Sequence, residues 1–510
     1  MEYSLQALIS VLFFCFILLF IFFVNPNNKW NLIKFCEPRF THYIIIFITL
    51  VVTVLLSVMP MSLSPYWNGT LHELSDKQQY DRMGDALLQG HLYIDNGDID
   101  PALQTMKNPY DKAEREKLGV KYNWDEAYYN HHYYMYFGVV PTIILFIPFK
   151  LVTGIALLSY QATQVFATLT IIGLFYLFYL LCSFYFTSFP FSLYLLLSSS
   201  FSIISIGYSI AAPALYCTAI VSGICLMVWS FVCFLKFKLS QESNNSGNIY
   251  LFLGALLGAF AFGCRPPVAL ANAIVLPVIC AIFQYDYHNR SEKIKKMLLV
   301  LFPYVIVGLI LMLYNYARFD NIFEFGQSYQ LTLADQHNYR SVLEHFDFRQ
   351  VLTGFWLNLY APCGLSDSFP YLRFNGFFIN YPILLLVCKV FAKPVASLLK
   401  KRKLYSCALV VFVTSFLIVL LDVYWSPFLS KRYHLDFLYL LCIATFLAIA
   451  AWLETVTDKK RKFLLAGIIV LAFYVFVAEL LFFCIPFDGN YAMYYPEKIN
   501  EIYKGLRFGL

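Results

Sequence analysis

Charge is what this chain of 510 residues has least of: Asp, Glu, Lys and Arg together make up 13%, against 60% hydrophobic residues. Soluble domains carry about a quarter charged residues. A water-soluble globule is therefore excluded for most of the chain, and the mean hydropathy of +0.63 points to lipid as its solvent. No polar stretch is large enough to fold as a soluble domain by itself. The 37 basic residues do not gather into a patch, so the net charge of +6 does not point to nucleic acid. The 13 cysteines lack metal-type spacing and lie mostly inside apolar runs (Cys15, Cys182, Cys225, Cys233, Cys388, Cys407), where they read as small hydrophobes rather than a disulfide framework. The first apolar run, about Leu5 to Val24, has neither a basic n-region nor a small-residue cleavage site and reads as a retained helix. No internal repeat, parallel or inverted, is visible, which weighs against common secondary-transporter architectures.

Apolar runs of about 17–25 residues, each long enough for a ~30 Å hydrocarbon core, recur from end to end. The short loops rich in Lys and Arg are Asn25–His42, Lys236–Asn248, Asp286–Lys296, Lys393–Lys403 and Asp458–Lys462. The positive-inside rule assigns them to the cytoplasm. The acidic stretch Ser62–Tyr136, the second loop 316–373, and Ser426–Tyr433 then fall outside. Between Tyr136 outside and Lys236 inside the chain must cross an odd number of times, yet several apolar segments lie there, an even set: Phe137–Thr153, Leu158–Phe184, Phe191–Ile210 and Ala214–Leu235. Phe137–Thr153 is short, holds Pro141 and Pro148 and carries Lys150. It is expected to lie at the outer interface as residues 137–153, with its lysine snorkelling to headgroups. The expected fold is an all-α polytopic membrane protein, one domain over 1–510. It has about twelve spanning helices, one interfacial helix, a large outer loop at 62–136, and both termini outside.

That outer loop is where chemistry concentrates. It holds Asp76-Lys77-Gln78-Gln79-Tyr80-Asp81, Asn108-Pro109-Tyr110-Asp111, and Trp124-Asp125-Glu126 running into Tyr128-Tyr129-Asn130-His131-His132-Tyr133-Tyr134-Met135-Tyr136-Phe137. The stretch Asp76–Gln89 reads as a short helix with Asp76 near its N-terminus. A carboxylate there is placed either as a general base or as an ordinary N-cap. Asn108–Asp111 reads as a turn. The tyrosine run suits either a sugar site, with flat faces and hydroxyl handles, or an interfacial aromatic belt. His131-His132 without a third ligand is weak evidence for metal; whether a divalent ion takes part stays open, and no cofactor is assigned. A second constellation is basic and external. It comprises Arg265 in Gly263-Cys264-Arg265-Pro266-Pro267, Arg318 after Tyr314-Asn315-Tyr316-Ala317, and Lys431-Arg432-Tyr433 before Asp436. Guanidinium forks there suit a phosphate on a lipid carrier, the alternative being local pairing such as Arg432 with Asp436, four residues apart.

The frame Asp76-x-x-x-Tyr80, Ala86-Leu87-Leu88-x-Gly90-His91, then Tyr133-Tyr134-x-Tyr136-Phe137-Gly138-x-x-Pro141 and Arg432-Tyr433-x-x-Asp436 resembles the GT-C superfamily. These are polytopic glycosyltransferases such as protein O-mannosyltransferases and aminoarabinose transferases, here in a bacterial branch. The resemblance implies an inverting transfer of a sugar from a polyprenyl-phosphate carrier to a cell-envelope glycan or other acceptor, at the outer face of the cell membrane. It places the base at Asp76. Lys77 stands where the family often has a second acid, a role left to Asp125 or Asp81. It also implies Arg265 and Arg432 at the donor phosphate, with Tyr80, His131, Tyr133, Arg318 and Tyr433 around the substrate. The other readings are a lipid-linked-sugar flippase or transporter, and a polysaccharide polymerase or ligase.

Overall fold

The computed structural model describes residues 2–35, 40–70, 78–95, 97, 99–284, 290–338, 347–362, 364–426 and 431–508. The chain is a predominantly helical, multi-pass bundle. Among the described residues ten helices are long and apolar enough to cross a membrane, from Leu5–Val24 to Asp458–Phe483. About twelve were expected from the sequence; one bent pair raises the ten to eleven at most, and a further apolar helix is shorter than a span. The pair is Pro382–Phe391 and Lys393–Lys401, bent by 72°. The shorter one is the 15-residue helix Asn248–Phe262. At 1.5 Å per residue Asn248–Phe262 is only about 22 Å long, short of a ~30 Å core. The break Gly263–Arg265 ends it. Pro266 and Pro267 open the next helix at its first positions, where a missing N–H costs nothing.

The helix Leu435–Thr455 is the axis of the bundle, 94% of its apolar window being buried. Lipid supplies no hydrophobic drive between helices, so close packing and shared polar contacts must hold them. The small residues Ala444, Ala448, Ala450 and Ala451, all fully buried, let neighbours approach its backbone. The peripheral helices Leu5–Val24 and Arg290–Phe319 stay largely exposed to the surroundings of the bundle.

Hydrogen bonds sort the loops into two ends. At one end Lys34 bridges to Pro190, and Ser192 donates to Asn31 at 2.6 Å. There too Arg402 pairs with Glu454 at 2.6 Å, Arg461 donates to the Ser188 carbonyl at 2.7 Å, Lys462 reaches Asn27 at 2.8 Å and Lys296 reaches the Ser246 carbonyl at 2.9 Å. These are the basic loops. At the other end Ser64 donates to the Gly489 carbonyl, and the Gln78 side chain accepts from the Ser159 N–H at 3.2 Å.

The segment between Phe137 and Thr153 begins and ends at that second end. Val140 N–H donates to the Gly263 carbonyl at 2.9 Å before it, and Ser159 meets Gln78 after it. Its helical part is Thr142–Thr153. Lys150 does not snorkel: it is paired with Asp81 at 3.3 Å and Asp85 at 2.5 Å on the helix Gln79–Leu88. Two acids one turn apart offer a nearer partner than headgroups.

Over this end the described residues of the loop 62–136 fold into a cap. Its only sheet among the described residues is a hairpin, β1 (Ala127–Tyr129) antiparallel to β2 (His132–Tyr134). Asn130 and His131 form its two-residue turn at φ 48° and 62°, the left-handed pair that a hairpin of this length requires. The loop 316–373 laces onto it. Leu331 N–H donates to the Glu126 carbonyl at 2.9 Å, Arg115 to the Thr332 carbonyl at 2.8 Å and Asn108 to Asp335 at 2.7 Å. Tyr80, Met83, Ile94, Leu103, Tyr133 and Leu331 form the cap's own core.

Candidate functional site

Cap and bundle meet where two glycines allow it. A Cβ on Gly138 would fall 2.2 Å from the Gly263 carbonyl oxygen. Only a residue without one lets the chain after the hairpin lie against the Gly263–Arg265 break. Three elements consequently face one another: the end of the cap hairpin (Tyr136), the break (Arg265), and the turn before the central helix (Arg432, Tyr433).

Arg265 donates from Nε and Nη2 to both oxygens of Asp436, at 2.9 and 2.8 Å. Asp436, fully buried in the first turn of Leu435–Thr455, thus takes Arg265 rather than Arg432. The local pairing between residues four apart does not form, because the turn at 431–434 carries Arg432 away from the helix face. Arg432 instead lies 3.9 Å above the Tyr216 ring and 5.2 Å from the Tyr433 ring. Among the described residues its one side-chain hydrogen bond, to the Tyr433 hydroxyl, is long at 3.5 Å. Among the described residues no carboxylate is in ion-pair contact with it. Tyr433 also lies 5.6 Å from the Arg265 guanidinium.

Asp125 closes the cluster from the cap. It is 5% exposed and sits at φ 59°, a left-handed backbone that Asp tolerates better than most residues. Its surroundings hold it there: its N–H donates to the Leu331 carbonyl at 3.1 Å and its carboxylate accepts from Gln330 at 2.9 Å. Burial lifts the carboxyl to about 6, with the Arg432 guanidinium pulling the other way. Burial also raises the Tyr136 phenol, which lies within electrostatic reach of Asp125, Arg432, Arg265 and Tyr433 at once. Tyr80 is fully buried, stacked on Phe146 at 5.3 Å, and its hydroxyl has no partner among the described residues. It faces Cys264, Tyr136 and Arg265 electrostatically.

The structure thus gathers Tyr80, Asp125, Arg265, Arg432 and Tyr433 from the sequence candidates and leaves others elsewhere. His131 is an exposed turn residue, its imidazole 3.5 Å from the Tyr128 hydroxyl. Tyr133 belongs to the cap core, its hydroxyl accepting from the Asn123 N–H. Asp81 is tied to Lys150, and burial raises its carboxyl against that lysine's pull. Arg318 clamps the cap to the bundle: it donates to the Met135 carbonyl at 2.7 Å and to Asn315 at 2.9 Å, and lies 3.9 Å over the Tyr314 ring. Asp76 and Lys77 lie outside the described residues.

Tyr136, Tyr216 and Asp436 belong to the cluster but were not singled out as site residues. Tyr136 carried a signal, since it is the last tyrosine before Gly138. Tyr216 carried none, being the first residue of an apolar helix. Among the described residues no three of His, Cys, Asp and Glu converge as metal ligands. What the cluster offers chemically is a guanidinium paired with Asp436, a second guanidinium with no carboxylate in ion-pair contact among the described residues, and a buried carboxyl raised to about 6, all ringed by phenols.

No protein-family model and no curated protein matches the chain. Solved structures with a similar arrangement include the Archaeoglobus fulgidus oligosaccharyltransferase in the apo form, 10% identical, with a TM-score of 0.48 over 90% of this chain and 60% of that one. The same organism's enzyme in complex with an inhibitory peptide and a dolichol-phosphate is 11% identical, with a TM-score of 0.44 over 86% of this chain and 56% of that one. The chain spans at most about 60% of the length of these structures.

Proposed function

We propose that the chain is an inverting glycosyltransferase of the polytopic GT-C type, using a polyprenyl-phosphate sugar as donor and working at the outer face of the membrane. The observation that supports this reading is Arg432: a guanidinium sunk among Tyr216, Tyr433 and Tyr136, with no acid in ion-pair contact among the described residues. A cation held at membrane depth needs an anion. A phosphodiester at the head of a lipid fits, because its tail can remain in the bilayer while the guanidinium takes two oxygens in parallel. Arg265 contributes less, its charge being matched by Asp436.

In this scheme Arg432 stabilises the phosphate as it departs, where preorganised charge matters most. Asp76 is the proposed base for the acceptor hydroxyl. Asp125 is the second acid, since Asp81 is committed to Lys150. Tyr80 and Tyr136 offer hydroxyls around the reacting centre.

The test is a transfer assay in proteoliposomes with radiolabelled polyprenyl-phosphate sugars and envelope glycans. Arg432→Ala is expected to weaken donor use about a hundredfold, the loss of a charge-assisted bidentate contact. Asp76→Asn should abolish turnover while leaving donor binding intact. Label that crosses the bilayer without any new glycosidic bond would identify a transporter and end the proposal.

A further inference from the structure

The bent pair Pro382–Phe391 and Lys393–Lys401 reaches the basic end of the molecule and turns there. Pro382 follows Tyr381, whose hydroxyl donates to Glu479 near the capped end of Asp458–Phe483. Farther along, Lys389 lies 4.5 Å over the Trp452 ring, close to where the central helix ends at Thr455. The first helix of the pair therefore runs along the bundle from the capped side toward the basic side. After Ala392 the chain bends by 72°. Lys393–Lys401 consequently lies across the bundle axis, along the membrane surface rather than through it.

This second helix has two faces. Val395 and Leu399 are fully buried, and just beyond them Arg402 pairs with Glu454 at 2.6 Å. Lys393, Ser397, Lys400 and Lys401 are exposed, and their i, i+4, i+7, i+8 spacing puts them together on the opposite face. Lys403 follows, exposed as well. Phe391, 51% exposed at the elbow, adds an apolar anchor. A basic amphipathic helix of this pattern is the form that lies in a membrane interface.

These lysines have no carboxylate in ion-pair contact among the described residues. Lys400 lies 4.9 Å over the Tyr405 ring, a contact that uses no anion. Of the described acids at this end, Glu454, Glu242 and Glu292 are taken by Arg402, Lys238 and Lys296. Only Asp458 stands exposed against the excess of positive charge. The balancing anions must come from outside the chain. A polybasic cluster immediately beyond a spanning segment attracts anionic lipid. Lysine ammonium groups are compact point charges on flexible stems, without the planar fork of arginine. They suit a dense array of mobile phosphates better than one phosphate held in fixed geometry.

We infer that the exposed face of Lys393–Lys401, extended by Lys403, is a binding surface for anionic phospholipid headgroups. It lies at the end of the molecule opposite the Arg432 cluster and does not depend on the proposed donor.

The experiment titrates phosphatidylglycerol and phosphatidylcholine, carrying the same fluorescent acyl chain, into the full chain in uncharged detergent micelles at low salt. Wild type should prefer phosphatidylglycerol. A lysine near an anionic surface is worth about fivefold in affinity. Replacing three together, Lys393→Gln, Lys400→Gln and Lys401→Gln, should weaken phosphatidylglycerol by at least about tenfold and leave phosphatidylcholine unchanged. A control triple, Lys107→Gln, Lys117→Gln and Lys121→Gln, removes the same charge from exposed positions on the cap and should keep the preference intact. Ser397→Glu, one exposed change in the middle of the face, should weaken phosphatidylglycerol about fivefold. It decides the matter if the first triple variant does not fold. Equal affinities for the two lipids in wild type, or equal losses in the two triple variants, would overturn the surface. So would displacement of phosphatidylglycerol by soluble polyglutamate at equal concentration of charge, which would mark the face as one for an acidic protein.

Discussion

At the scale of single residues, the relation between Asp125 and Arg432 makes a prediction with a definite sign. Burial holds the Asp125 carboxyl at about 6, so it is neutral below that pH and negative above it. A donor phosphodiester carries one negative charge throughout this range. Below about 6 Arg432 meets the phosphate without competition; above it the Asp125 carboxylate both repels the phosphate and screens the guanidinium. Donor affinity should therefore fall as pH rises from 5 to 7.5, by about fivefold for roughly 1 kcal/mol of repulsion between partly solvated charges. Asn at position 125 tolerates the same left-handed backbone and can still accept from Gln330. In Asp125→Asn the pH dependence should disappear, with affinity fixed at the low-pH value. A calorimetric titration at several pH values, showing the same slope in wild type and variant, would remove Asp125 from the phosphate's surroundings. Arg265 shows why residue type alone misleads: it and Arg432 look alike in sequence, yet one pairs with Asp436 and the other meets no carboxylate in ion-pair contact among the described residues.

At the scale of elements, the cap is seated by its approach to the Gly263 break, and this contact is what aligns Tyr136 with Arg265. Gly138→Ala would force a Cβ to within 2.2 Å of a backbone oxygen, which no rotamer change relieves. Overpacking of this kind costs about 1–3 kcal/mol. Because it separates the cap from the break, donor turnover should fall at least about tenfold, a difference of roughly 1.4 kcal/mol. Gly308→Ala, where nothing lies within 4 Å, should leave turnover unchanged or slightly improve helix stability. Comparable activity in the two variants would show that the cap docks by other contacts. The short helix at Asp76–Gln89 was legible from its pattern and stands as Gln79–Leu88 over its described part. The hairpin was not. Its tyrosines read as a binding surface because hydroxylated rings suit sugars, whereas the decisive signal was the Asn130-His131 pair, able to occupy left-handed backbone between two short aromatic strands. That turn takes His131 out of the site and buries Tyr133 in the cap.

At the scale of the whole molecule, charge distribution carried more information than any motif. The basic loops do gather at one end, joined by contacts such as Arg402 to Glu454 and Lys296 to Ser246. The acidic loops cap the other end. The multi-pass helical fold was legible because lipid imposes length and apolarity on every span. The site was only partly legible, because Arg265, Arg432 and Asp125 come from widely separated stretches and meet through long-range packing that periodicity does not encode. Parity of crossings gives the last prediction. Three helices, Ser159–Phe184, Phe191–Ala211 and Tyr216–Glu242, lead from the capped end to the basic end. The segment Thr142–Thr153 must then enter and leave on the capped side. Ile155, exposed just beyond it, should lie on the same side as Asp488 and opposite Asn245. Ile155→Cys, Asp488→Cys and Asn245→Cys, each labelled in sealed vesicles with a membrane-impermeant thiol reagent, report this directly. The first two should react from one side at similar rates, and the third only after the membrane is opened or inverted. If Ile155→Cys instead followed Asn245→Cys, the segment Thr142–Thr153 would cross the membrane. The cap would then lose its position over Arg265 and Arg432, and the site would have to be rebuilt from other residues.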